Sequence, residues 1–322
     1  MSSGSAAESP SPYTVTSSGT LDTPVREAIA RLGQECHRVD GHHPLNEEAR
    51  LTVADGGIRD GIAHLLVRRG ERLVGYAMVD SATTPPVMQL MITPTERRQG
   101  AAWQILGAIG FDPRPQASPS EGERAHQGQE LTLWSFGALP AASAWAEKYQ
   151  APAIRQLLVM GRNASDIPTA TIPEGYTLRP FREADDLEQM LQVNAAAFSH
   201  HPEQGRMSAD DVRARMAEPW FDPNGFLVVE HEGRVAGFHW TKQHSSKLGE
   251  VYIIGVHPDH SGRGLGRQLL HAGMQYLADR GVAEIILYVE GDQKYVVEMY
   301  QKSHFVITNT DLLYRWPSAV AG

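Results

Sequence analysis

The chain of 322 residues holds one cysteine, Cys36, so no intrachain disulfide can form. That fits a reducing cytoplasm, and a solitary cysteine reads as a small buried hydrophobe rather than a nucleophile. No window approaches the roughly 18 consecutive apolar residues of a membrane span. The N-terminus lacks a basic stretch and an apolar core, which excludes a secretory signal. Met1–Ser18 is rich in Ser, Ala and Pro and is expected to be a disordered tail. Positive charge is also scarce: 29 Lys and Arg face 38 Asp and Glu, a net charge of −9, which argues against nucleic acid as the main partner. The 14 histidines show no ligand spacing, and the adjacent pairs His42-His43 and His200-His201 would face apart on regular structure, so no metal is expected.

What is present is a stretch that reads strand, glycine turn, helix. Val251–Val256 is a strand-like run ending before Pro258. Ser261-Gly262-Arg263-Gly264-Leu265-Gly266-Arg267 follows, and Gln268–Arg280 has helical character. A glycine turn at a helix N-terminus lets the backbone approach a ligand closely and aims free N–H groups at an anion such as a pyrophosphate.

The length favours two domains, and the chain echoes itself. His64–Ala77 and Phe226–His239 both read as hairpins with a charged, glycine-bearing turn. Each is followed by a strand, a proline and a glycine loop: Met88–Ile92, Pro94 and Gly100-Ala101-Ala102, then Val251–Val256, Pro258 and Gly264-Leu265-Gly266. Pro94 to Pro258 and Gly100 to Gly264 are each 164 positions apart. Two hairpins, two prolines and two loops in the same order indicate a tandem duplication of one α/β unit. The second half continues with strand Ile285–Val289, helix Gln293–Lys302 and two strand-like runs, Phe305–Asn309 and Leu312–Trp316. The first half continues with a polar loop, Arg114–Glu130, then strand Leu131–Phe136, helix Ala141–Tyr149 and strand Ile154–Arg162. The expected division is a tail at 1–18, a first domain at 19–162, a linker at 163–175 and a second domain at 176–322.

This order of elements resembles the GNAT superfamily of acyl-CoA-dependent N-acetyltransferases. The resemblance implies an α/β fold of two tandem GNAT domains, each a mixed, mostly antiparallel sheet flanked by helices. Arg97-x-x-Gly100-x-Ala102 matches that family's phosphate loop, and Ser261-x-x-Gly264-x-Gly266 matches both glycines with Ser at the first position. More specific phrases, His201-Pro202-Glu203-Gln204-Gly205, Trp220-Phe221-Asp222-Pro223, Gly237-Phe238-His239-Trp240-Thr241-Lys242, Gly249-Glu250-Val251-Tyr252 and Leu287-Tyr288-Val289-Glu290, make the chain similar to the mycothiol synthase family from about Val39 to Tyr314. In that family the C-terminal half acetylates the cysteinyl amine of a cysteinyl-glucosaminyl-inositol, and the N-terminal half is regarded as silent.

The resemblance implies acetyl-CoA contacts at Ile254, Gly255 and Val256, at Ser261, Gly262, Arg263, Gly264, Leu265, Gly266 and Arg267, and at Gln293, Lys294, Tyr295, Val296, Val297 and Glu298. It implies a vestigial cofactor site at Leu90, Met91, Ile92, Arg98, Gln99, Gly100, Ala101, Ala102 and Trp103. It implies contacts to the pseudodisaccharide at Glu47, Glu203, Lys242, Glu250 and Tyr288. The chain departs from the family where Asn, Ala and Gly are usual, at Gln293, Val296 and His304.

Acetyl transfer to an amine needs a polarised carbonyl, a neutral amine and a proton for the departing thiolate. A main-chain N–H at the end of Val251–Val256 suits the first need. An α-amine titrates near 7.7–8.0 and is largely protonated at neutral pH, so a carboxylate at Glu250 would serve as base. The position 164 before Glu250 is Pro86, which fits one active half and one silent half. The resemblance implies Tyr300, one helical turn after Val296, as the acid to the thiolate. Read as isolated residues, Glu250 is also a solvated strand-end glutamate and Tyr300 a core aromatic. A GNAT enzyme for another amine, such as an aminoglycoside or peptide, or an acetyl-CoA-binding module without catalysis, stays open. Two GNAT units in one chain favour a monomer, and the single cysteine a cytoplasmic one.

Overall fold

The computed structural model describes residues 11–111, 130–199 and 204–316. The chain divides into two compact units: residues 1–157 with 309–322, and residues 158–308. This is not the sequential cut at 162 and 176.

The first unit opens with β1 (Thr14–Ser18), which pairs antiparallel with β2 (Ile62–Arg69) from Thr14↔Arg68 to Ser18↔His64. The disordered tail expected at 1–18 is therefore corrected for Thr14–Ser18; Met1–Pro10 lie outside the described residues. The polar composition hid a short run with two threonines and a valine, which suits an edge strand. Tyr13 anchors it: the ring is buried and its hydroxyl donates to Glu96 Oε2 at 2.8 Å.

Helices α1 (Thr23–Asp40) and α2 (Glu47–Ala54) follow, capped by the side chains of Asp22 and Asn46. Then come β2, β3 (Arg72–Asp80), β4 (Val87–Ile92), α3 (Ala101–Ala108), β5 (Leu131–Ser135) and α4 (Pro140–Lys148). Of the polar loop expected at Arg114–Glu130, all but Glu130 lies outside the described residues. Apolar residues of α1 and α2 pack on one face of the sheet with Tyr76 and Met91. Those of α3 and α4 pack on the other with Val67, Met88 and Trp316.

β6 (Ala153–Asn163) leads into the second unit, which repeats the sequence of elements: β7 (Tyr176–Pro180), α5 (Glu183–Ala197), α6 (Ala209–Met216), β8 (Phe226–His231), β9 (Arg234–Gln243), β10 (Leu248–Val256), α7 (Leu265–Asp279), β11 (Glu284–Glu290), α8 (Lys294–Lys302) and β12 (Val306–Trp316). The tandem duplication therefore holds element by element. The two short runs expected at Phe305–Asn309 and Leu312–Trp316 are one continuous strand.

The closing strands depart from sequence order. β12 pairs antiparallel with β5, from Leu312↔Ser135 to Trp316↔Leu131, and so completes the first unit in the order β1-β2-β3-β4-β5-β12. The second unit runs β6-β11-β10-β9-β8-β7. Its face toward α5 and α6 buries Phe226, Phe238 and Trp240. Its face toward α7 and α8 buries Val251, Leu270, Leu287 and Phe305. Near the β7 edge, Arg179 grips buried Asp186 through both guanidinium ends at 2.6 and 2.8 Å and also donates to Glu230, fixing the start of α5.

Candidate active site

β10 is the strand on which the site is built. Its antiparallel ladder to β9 breaks register between Val251 and Ile253, a β-bulge. Its parallel ladder to β11 runs from Leu248↔Glu284 only as far as Val251↔Leu287. Beyond that point the edge of β10 facing β11 carries no ladder, so main-chain groups of Tyr252–Val256 are open to a ligand. Bulges concentrate beside active sites because they end pairing and re-aim side chains. Here Tyr252 and Ile253 both join the core on the α5 face.

Glu250 stands directly opposite Lys242 in the ladder, and Ile286 is its partner on β11. Paired residues share a face, as do residues two apart along a strand. Glu250, Lys242 and Tyr288 therefore lie on one face of the sheet, the face of α5. The sequence brings these three predicted substrate residues together. Glu250 is 5% exposed and Lys242 3%, values rare for these residue types unless paired. The Lys242 ammonium sits 4.5 Å from the Trp220 ring centre and 5.1 Å from that of Tyr252. Both are cation–π distances. Arg215 donates to the Tyr252 hydroxyl at 2.9 Å and holds that ring. Tyr288 is 48% exposed, at the mouth of this face.

Glu250 has a partner that the sequence did not reveal. His244, in the turn joining β9 to β10, places Nε2 2.5 Å from Glu250 Oε2. His244 N donates to Leu248 O, which closes that turn and fixes the ring's starting point. A lone histidine in a polar turn, Gln243-His244-Ser245-Ser246, carries no pattern that would single it out.

The glycine loop lies beyond β10. Gly262 and Gly264 hold φ of 75° and 79°, and a Cβ on either would meet nothing within 4 Å. Space is therefore free above the loop, and the left-handed backbone is what requires glycine. Gly264 is the N-cap of α7 and makes no side-chain cap. The N–H groups of Leu265, Gly266 and Arg267 have no intrahelical acceptor, over a helix of 15 residues. Ser261, Gly262, Arg263 and Arg267 are exposed around them. The expected helix start at Gln268 moves to Leu265.

Tyr300 lies on α8, buried in the core with Val251, Val289 and Phe305, and Ile254 packs against the same cluster. Burial pushes its phenol above the ordinary tyrosine value, so it keeps its proton at neutral pH. Gln293 is the N-cap of α8, Val296 and Val297 pack partly into the core, Tyr295 is 82% exposed, and Glu298 pairs with Lys302 at 3.7 Å. His304, where the resembled family has Gly, adopts a left-handed φ of 64°. Glu203 lies outside the described residues.

The first unit repeats the opening without the bulge. β4 pairs with β5 only at Val87↔Thr132 and Met88↔Leu133. A cavity of about 470 Å³ follows, lined by Leu90, Met91 and Ile92, by Arg98, Gly100, Ala101, Ala102 and Trp103, and by aromatic residues including Trp145 and Trp316. Gln99 is not part of the wall; its amide donates to Thr95 O. Arg97, the first residue of the loop motif, is committed to Asp40 through two hydrogen bonds of 2.7 Å. Glu47 opens α2 in this unit. Counted through the ladders, the counterpart of Lys242 is Asp80, whose partner is Val87. Glu250 therefore corresponds to Val87 rather than Pro86, the bulge accounting for the one-residue difference. The first unit has no carboxylate there by either count.

Among the described residues no group of three or more His, Cys, Asp or Glu could hold a metal ion, and no helix is long and apolar enough to cross a membrane. Residues 187–305 match the acetyltransferase (GNAT) family model. Across nearly the whole chain there are relatives named mycothiol acetyltransferase. That of Catenulispora acidiphila is 40% identical over 89% of this chain and 94% of its own length. That of Streptomyces coelicolor is 38% identical over 90% and 91%. That of Propionibacterium freudenreichii is 41% identical over 90% and 88%. Among solved structures, a GCN5-related N-acetyltransferase from Sphaerobacter thermophilus superposes with a TM-score of 0.70 at 19% identity, over 97% of this chain and 98% of that one. A tandem GNAT protein of the clavulanic acid biosynthesis pathway gives 0.71 at 16% identity, over 96% and 100%. At those identities the structures establish the fold alone, but the sequence relatives establish more: this chain is an N-acetyltransferase of the mycothiol acetyltransferase family, built from two GNAT units.

Proposed function

We propose that the protein transfers an acetyl group from acetyl-CoA to the cysteinyl amine of cysteinyl-glucosaminyl-inositol, giving mycothiol, and that the second unit alone does the chemistry. The observation that carries this is Glu250: a buried carboxylate on the bulged strand, beside Lys242 and below exposed Tyr288, with no acidic counterpart in the first unit. Acetyl-CoA supplies the activated acyl group. The open edge at Ile254–Val256 offers main-chain donors to its pantetheine and carbonyl, and the uncapped start of α7 with Gly262, Gly264, Arg263 and Arg267 suits its pyrophosphate. The open space above both glycines fits that assignment.

Glu250 takes a proton from the substrate ammonium and leaves a nucleophilic amine. Tyr300, protonated and buried at the Ile254 end of the core, donates to the departing thiolate. Lys242, Tyr288 and Glu203 are assigned to the hydroxyl-rich sugar portion. The cavity of the first unit is assigned to a second acetyl-CoA that does not react. The protein is inferred to act as a cytoplasmic monomer.

Single-turnover transfer tests this reading. Glu250→Gln should slow acetylation by about 10²–10⁴-fold, the usual contribution of general acid–base catalysis. Undiminished transfer removes the base assignment. Comparing cysteinyl-glucosaminyl-inositol with its analogue lacking the cysteinyl group tests the substrate. Equal acetylation of both points to another amine, and transfer to no amine at all points to a binding module.

A further inference from the structure

Glu250 is buried and next to a buried lysine, so a proton it has taken needs a way out. The stoichiometry makes that exit obligatory. The ammonium of the substrate carries three protons and the product amide one. One of the two lost protons ends on the thiol of coenzyme A. The other must reach solvent in every turnover.

His244 is the one imidazole in contact with Glu250 among the described residues, at 2.5 Å through Nε2. Glu250 is 7% exposed at its side chain, whereas that of His244 is 32% exposed, so the pair spans from core to solvent. Nδ1 of His244 has no hydrogen-bond partner among the described residues, which leaves it to water. The other charged or titratable groups on this face are poorly suited to carry the proton out. Lys242 on β9 is buried under the Trp220 and Tyr252 rings. Tyr252 on β10 is bound to Arg215.

We propose that His244 is a proton-relay residue for Glu250, the outlet through which the active carboxylate is regenerated; this rests on Glu250 being the base. The amine N–H bond breaks as a Glu250 O–H bond forms. That O–H then breaks as a neutral imidazole carrying its proton on Nδ1 gains the proton at Nε2, the resulting imidazolium loses its Nδ1 proton to water, and tautomer exchange with water restores the Nδ1–H ring for the next turnover. Glu250 returns to a carboxylate, and no redox partner is needed. The turn between β9 and β10 thus has a chemical task besides linking two strands.

The test uses the full-length protein, acetyl-CoA and cysteinyl-glucosaminyl-inositol. His244→Ala should lower steady-state kcat by about 100-fold, the low end of what an acid–base group contributes, and leave the KM for acetyl-CoA unchanged. Added imidazole should restore kcat in proportion to its concentration, a response that a structural role would not produce. His244→Gln keeps a hydrogen-bonding amide beside Glu250 and guards against misfolding; it should remain as slow as the alanine variant. Full activity in His244→Gln, or no response to imidazole in His244→Ala, overturns the relay. Glu250→Gln separates the two readings: if it is inactive while His244→Ala is normal, only the relay fails. If Glu250→Gln is fully active, the base assignment fails and the relay with it.

Discussion

The end of α8 offers a measurable stability gain. Phe305 N donates to Tyr300 O at 3.0 Å and His304 N to Gln301 O at 2.9 Å. These are the two bonds of a Schellman cap, with His304 at C′. The accompanying apolar contact is present too, with the Tyr300 and Phe305 ring centres 5.8 Å apart. C′ needs a left-handed backbone, and His304 supplies it at a φ of 64°. A side chain there costs roughly 1–2 kcal/mol per residue, toward the low end for His, which tolerates the region better than most. Glycine removes that cost and returns about 0.5–1 kcal/mol through its freer unfolded chain. The imidazole is exposed and makes no hydrogen bond among the described residues, so its loss removes nothing. His304→Gly should therefore stabilise the second unit by up to about 0.5 kcal/mol. At about 2–4 °C per kcal/mol for a unit of this size, Tm should rise by up to about 2 °C in calorimetry. His304→Ala, which keeps the strain, is the control and should gain nothing. A His304→Gly variant that melts no higher than His304→Ala refutes the argument.

Two further outcomes follow from the packing of β9 on α7. A Cβ at Gly273 would lie 2.1 Å from His239 Cε1, and that ring is buried and bonded through Nδ1 to Leu269 O at 2.7 Å; Gly273→Ala should cost about 2–3 kcal/mol in urea unfolding, and a smaller loss would mean the helix can move aside. Burial pushes the His239 imidazole down to about 4, against 6.5 in an unfolded chain. The unfolded state therefore binds the proton first, and stability should fall as pH drops from about 6.5 toward 4, by at most about 1.4 kcal/mol per unit. His239→Leu should lose that part of the slope between about pH 7 and pH 5, and equal slopes in the two proteins would refute it.

The order of elements was legible because hairpins and strand–turn–helix units are local. Gly75 and Gly237 sit in hairpins, and Gly100 and Gly264 cap helices, in the same order in both halves. The destination of β12 was not legible. Val306–Trp316 reads as an ordinary strand, and nothing in its composition says that its partner is Leu131–Ser135. β1 was missed because Thr and Ser look like a tail until Tyr13 is seen to be buried. At the site, Glu250, Lys242 and Tyr288 could be named from phrases, and their common face follows from strand parity. The bulge could not be foreseen, since one extra residue leaves no mark on composition, and it displaced the match of Glu250 from Pro86 to Val87. His244 was invisible for the same reason: its meaning lies in a carboxylate six positions on, brought near by the turn.

The pairing of β12 with β5 also bears on synthesis. When a ribosome has made residues 1–157, it has made the first five strands of the first unit, but the sixth is still unwritten in the nascent chain. Leu131–Ser135 must wait for Leu312–Trp316 while the whole second unit is translated. During that interval β5 presents an unpaired edge, and Trp316 is missing from the core it fills. The usual vectorial order, first domain finished first, is thus denied to this chain. Its first unit is completed last, when the final strand leaves the exit tunnel.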